Sequence, residues 1–139
     1  MRSLLSWTSL VTLILAATFL ASAARADDCV DPPNQLAMNE CAGKAFDEAD
    51  KKLNDAYRQM AGRLNNDAAT KKLLVDAQRA WIAFRDAECT FQPSRASGGS
   101  MHPLLVSNCR TELTKARTER LNAYLTCEGD DMSCPAPAE

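Results

Sequence analysis

The chain has 139 residues, 24% of them charged, with a formal net charge of −2 and only 6% aromatic residues. That length bounds it to one domain, and the mildly acidic balance disfavours nucleic acid, whose phosphates attract a basic surface. Six cysteines accompany a single histidine, His102, and no paired C-x-x-C spacing occurs, so neither a zinc site nor a histidine-based nucleophile is expected.

The first 26 residues read as a secretory signal peptide. Arg2 gives a short basic start, Leu10 to Leu20 is apolar apart from Thr12 and Thr18, and Ala24-Arg25-Ala26 is an A-x-A cleavage site. The apolar run is shorter than the ~20 residues a membrane span needs. Asp27 and Asp28 before Cys29 do not suit a lipidation signal, so a periplasmic or secreted protein rather than a lipoprotein is expected. The mature part, 27–139, is then a single domain with a polar tail at 128–139. Loss of Arg2 and Arg25 takes the 16 basic residues to 14 against 18 acidic ones, a charge of −4.

The first helix is expected from about Pro33 to Leu64, with Asp31 as cap and proline in the first turn. Its apolar stripe is Leu36, Cys41, Ala45, Ala49, Leu53, Tyr57, Met60 and Leu64. Lys44 with Glu48 and Lys51 with Asp55 are spaced to pair along it. Asn65-Asn66-Asp67 ends this helix and caps the next, about Ala68 to Cys89. Within that second helix, Leu74, Ala77, Trp81 and Phe84 fall on one face, and the rest of the chain is expected to organise around it.

Thr90 to His102 reads as a surface loop without regular structure, because Pro93, Gly98 and Gly99 interrupt it. Ser100 is placed to cap a third helix with Pro103 in its first turn. Leu105, Cys109, Leu113, Ala116, Leu121 and Tyr124 mark the face of this helix, which reaches about Leu125.

The expected fold class is therefore all-α: a disulfide-stapled three-helix up-down-up bundle with a long loop between helices two and three. All six cysteines (Cys29, Cys41, Cys89, Cys109, Cys127 and Cys134) lie in the mature part, and an even count in a short exported chain reads as three disulfides. Cys89–Cys109 would close the loop and Cys127–Cys134 the tail, leaving Cys29–Cys41. An exchanged pattern, Cys41–Cys89 with Cys29–Cys109, stays open.

Several stretches resemble the LprI-like family, known from a mycobacterial lysozyme inhibitor and from many secreted bacterial proteins. They are Cys41 with ADKKLNDAY (49–57), AQRAW (77–81), FRDAEC (84–89), Gly99-Ser100, and Cys109 with Leu113, Thr114 and Arg117. The resemblance implies a small, helical, disulfide-stapled exported domain. Through its few characterised members it implies inhibition of a lysozyme.

Two groups of residues are singled out. Asp50, Asn54, Arg85, Asp86 and Arg117 sit at the edges of apolar stripes and are expected to form a structural polar network, with arginine forks on Asp50 or Asp86. Ser94, Arg95, Ser97, Gly98, Gly99, Ser100 and His102 form a candidate partner-binding loop carrying hydroxyls and a cation. No enzyme activity, cofactor or metal is expected, and no nucleic-acid or membrane partner after cleavage. The expected function is a binding protein that occludes a lysozyme-type partner; the alternative is an envelope interaction or stress module with no lysozyme role.

Overall fold

The computed structural model describes residues 29–137; the expected signal peptide lies outside them. Residues up to Asp31 belong to a separate unit, of which the described part is an exposed turn. From Pro32 onward the chain forms one compact unit built from three helices, α1 (Gln35–Arg63), α2 (Ala68–Phe91) and α3 (His102–Thr126), with a short 3₁₀ helix at Ser94–Ala96. No strand occurs among the described residues.

α1 spans 29 residues, about 43 Å at 1.5 Å per residue. Its N-cap is Asn34, whose side chain accepts from the Ala37 N–H at 2.9 Å, rather than Asp31. Ala42, Ala49, Leu53, Ala56 and Met60 are buried along one seam. Leu36 and Ala45, expected on that seam, are exposed. The expected pairs at Lys44/Glu48 and Lys51/Asp55 are not among the described ion pairs; Asp55 instead pairs with Arg58, and Lys72 with Asp76.

α1 packs most extensively on α3, and α2 packs on α3 over a smaller area. Leu53, Ala56 and Leu121 form one core cluster, with Tyr57, Leu74, Trp81 and Tyr124 packed against it. Met60, Leu64 and Ala136 form a second, flanked by Leu74, Tyr124 and Leu125. α3 buries Cys109, Thr111, Thr114 and Leu121, while Ala116 stays exposed. The helices are tied by polar contacts at their ends. Asn39 Nδ2 donates to the Ser100 carbonyl at 3.0 Å, and the Arg63 guanidinium donates to the carbonyls of Leu125 (2.7 Å) and Ala136 (3.0 Å). Residues 128–137 are therefore more than a polar tail, because Ala136 is buried in the core.

The expectation that α2 is the central element is not met. Leu74 and Trp81 turn inward, but Phe84 is 53% exposed and Ala77 is also outward. The expected stripe straddles two faces of the helix, and the buried residues of α2 are Gln78, Arg85 and Cys89.

Cys89 joins Cys109 and Cys127 joins Cys134. Cys29 and Cys41 are disulfide-bonded too, and no free cysteine is left among the described residues. The exchanged pattern is thereby ruled out, since it requires Cys89 to pair with Cys41.

Candidate functional site

The segment between α2 and α3 starts from two fixed points. Cys89 and Cys109 are fully or nearly fully buried and hold the end of α2 to α3 with Cα atoms 5.5 Å apart. Pro93 is buried beneath the loop. From Pro93 on, the backbone closes a succession of tight turns. Ala96 N–H donates to Pro93 (2.8 Å), Ser97 to Ser94 (3.1 Å), Gly99 to Ala96 (2.9 Å) and His102 to Gly99 (3.1 Å). The first of these turns form the 3₁₀ helix, so the expectation of no regular structure is corrected. Proline sets the backbone for such a turn rather than preventing it.

Gly98 has φ +78°, the left-handed region that other residues enter only at a cost. A Cβ on Gly99 would lie 3.1 Å from the Ala96 carbonyl, so the chain approaches itself closely there. Ser100 does not cap α3: Met101 is the N-cap residue and makes no side-chain capping bond, while Pro103 does lie in the first turn. Ser100 instead offers its carbonyl to Asn39, which Gln35 Nε2 orients at 2.9 Å.

Ser94, Arg95, Ser97, Gly98, Gly99 and Ser100 are all exposed, and His102 is half-buried at the foot of α3. Phe91 and Met101, which flank the loop, are 73% and 50% exposed. The sequence reading missed this apolar rim, although two large apolar residues bracketing a polar loop were a visible signal.

The three helices share a polar hub. Arg85 is 8% exposed. Its Nη1 donates to Asp50 Oδ1 at 3.2 Å and to Thr114 Oγ1 at 3.5 Å, and its Nε donates to Asp86 Oδ1 at 3.0 Å. Asn54 Nδ2 donates to the other Asp50 oxygen at 2.8 Å. The guanidinium also lies 5.2 Å from the Phe46 ring centre and 5.3 Å from that of Trp81, within the range of cation–π attraction. Arg110 Nε lies 3.6 Å from Asp86 Oδ1, an ion pair too long for a hydrogen bond, and its guanidinium also faces Phe46.

Asp50, Asn54, Arg85 and Asp86 thus come together, whereas Arg117 stands apart. Arg117 Nε donates to the buried Gln78 Oε1 at 3.1 Å, and burial pushes its pKa down from the ordinary arginine range. Phe46, Gln78, Arg110 and Thr114 were not expected in this role. Their signal is spacing: Phe46 to Asp50, Trp81 to Arg85 and Arg110 to Thr114 are each one turn apart.

Among the described residues, no group of three or more His, Cys, Asp or Glu side chains comes together as a metal site. No helix there is long and apolar enough to cross a membrane. The segment between α2 and α3 is thus exposed and built from successive hydrogen-bonded turns.

Known proteins resemble this chain in sequence. It is 37% identical over 130 residues to an uncharacterized protein of Rhizobium meliloti (strain 1021), covering 83% of this chain and 91% of that one. No solved structure matches it. A family described as "Lysozyme inhibitor LprI" matches residues 26–121. With most of α1 to α3 inside that match, the chain belongs to the LprI family of lysozyme inhibitors.

Proposed function

We propose that this protein is exported through its 1–26 leader and inhibits a muramidase of the lysozyme type, with the loop 92–101 as the inhibitory element. The observation that carries the reading is the construction of that loop: successive backbone turns, a buried proline and a flanking disulfide hold it in shape before any partner arrives. A preformed loop has less conformational entropy to lose on binding. The family match supplies the kind of partner.

A retaining or inverting glycosidase works with two carboxyl groups across a cleft. Arg95 supplies a cation for that cleft, and Ser94, Ser97 and Ser100 supply hydroxyls. Met101, exposed at the end of the loop, gives it an apolar contact with the cleft wall. The net charge of −4 expected after leader removal favours encounter with a basic enzyme. The reading takes the helices as running up, down and up, supported by the ties between the starts of α1 and α3 and between their ends. It takes the three disulfides as set outside the cytoplasm, and the Arg85 hub as a fastener that fixes the register of α1, α2 and α3.

Turbidity loss of bacterial cell walls under lysozyme, with and without the oxidised protein, tests the function. Slowed lysis at micromolar protein is expected, and an unchanged rate at large molar excess would reject the inhibitor reading. A second reading, an envelope interaction module without a lysozyme role, is favoured by the exposed apolar side chains of α2, Leu73, Phe84 and Phe91. Under it, lysis is unaffected while another envelope protein is retained on the immobilised chain.

A further inference from the structure

α2 has a second apolar face that its own bundle does not use. Leu73, Ala77, Ala80, Phe84, Ala87 and Phe91 are all exposed. Leu73 is 67%, Phe84 53% and Phe91 73% exposed. At about 100° per residue these six positions fall within about 40° of one line along the helix. The inward residues Leu74, Gln78, Trp81, Arg85 and Cys89 lie on a different face.

The spacing of the outer row is four, three, four, three, four. That is the alternation of a coiled-coil seam, narrower than the face a helix turns to a globular core. No charge interrupts it. The row is also symmetric end to end. Turning the helix about its midpoint exchanges position 73 with 91, 77 with 87, and 80 with 84. Two copies laid antiparallel therefore set Leu73 against Phe91, Ala77 against Ala87, and Phe84 against Ala80. A phenylalanine over an alanine at the centre fills space evenly, and the three alanines let the axes approach to about 8 Å.

We propose that this face of α2 is a two-fold interface that pairs the protein with a second copy of itself. A surface patch that meets its own copy must be self-complementary, and this row is. Pairing would cover on the order of 500 Å² per protomer, or ~1,000 Å² in total, the lower bound for a specific interface. The dimer is accordingly weak, with a dissociation constant in the micromolar range. Because the helices run oppositely, the loops after Phe91 emerge at opposite ends of the pair, each free to engage its own partner.

Sedimentation equilibrium of the oxidised protein over a range of concentrations tests the pairing. A reversible monomer–dimer equilibrium is expected. Ala80→Glu and Phe84→Glu should each shift it at least tenfold toward monomer, while Lys52→Glu on the exposed side of α1 leaves it unchanged. Both seam positions are exposed, so far-UV circular dichroism should not change; loss of helix in either variant would contradict the premise that the face is free. A protein that stays monomeric at several hundred micromolar, or a dimer indifferent to both seam variants, overturns the proposal. For direction, Ala77→Cys mixed with Ala87→Cys should cross-link between the two variants. Cross-linking of either variant to itself instead would overturn the antiparallel pairing.

Discussion

Arg85 on α2 and Asp50 on α1 are joined by a 3.2 Å charge-assisted hydrogen bond across 35 positions of sequence, with the arginine buried and the aspartate partly open to water. One guanidinium thereby reaches two carboxylates, a threonine hydroxyl and two aromatic rings. It touches all three helices, so its loss is felt between elements rather than within one.

Arg85→Ala strands Asp50 and Asp86 and empties a space beside Phe46 and Trp81. Removing one partner of a buried pair costs about 3–5 kcal/mol. The two carboxylates are 39% and 43% exposed, so water relieves part of that, and about 2–3 kcal/mol is expected. Arg85→Lys keeps the charge but loses the planar fork and should recover less than half of the loss. Urea denaturation of the three proteins measures this.

The Cys89–Cys109 and Cys127–Cys134 disulfides should contribute unequally. Cys89–Cys109 closes a sequence separation of 20 and Cys127–Cys134 one of 7. Loop-closure entropy gives about 3 kcal/mol for the first and about 2 kcal/mol for the second. Paired serine substitutions, C89S/C109S and C127S/C134S, followed by thermal denaturation, should place the first variant lower. The first should also weaken inhibition at temperatures where the protein remains folded, because it frees the loop.

Gly98→Ala should cost about 1 kcal/mol, because a Cβ there meets no neighbouring atom but must adopt φ +78°. If the loop inhibits as proposed, the effect of this substitution on inhibition should exceed its effect on stability, since the strain is confined to residues 92–101. Comparing the inhibition constant with the melting temperature separates the two.

Acid should loosen the start of α2. Asp67 caps that helix, and its carboxylate is held below the ordinary aspartate range by the Thr70 side chain and then by the Thr70 N–H. A depressed folded-state pKa means that the cap stabilises fully above the unfolded aspartate pKa, and that this contribution fades as pH falls through the lower folded value. Asp67→Ala should therefore lower the melting temperature at neutral pH and converge with the wild type in strong acid. Asp67→Asn should keep much of the cap and lose its pH dependence. Melting curves across that range decide it.

Much of the fold is legible in the sequence. Ala49, Leu53, Met60 and Leu64 repeat on one face of α1, Asp67 stands where a cap belongs, and the cysteines at the ends of the long loop pair across it. α2 is where the pattern misleads. Periodicity reports that Phe84 and Leu74 share apolar character, not which of them meets another helix, and a helix with an inner and an outer row gives one blurred stripe. Arg85, Gln78 and Thr114 are buried through the partners they find on other helices, and hydropathy reads such residues as surface. The loop was visible as an interruption, but its turns depend on backbone hydrogen bonds that composition does not encode.

The most direct measurement replaces residues 94–101 with a short glycine linker while keeping the Cys89–Cys109 bridge, and compares lysozyme inhibition with that of the intact protein. Unchanged helix content and loss of inhibition are the expected result. Inhibition that survives the replacement would contradict the assignment of the loop as the inhibitory element.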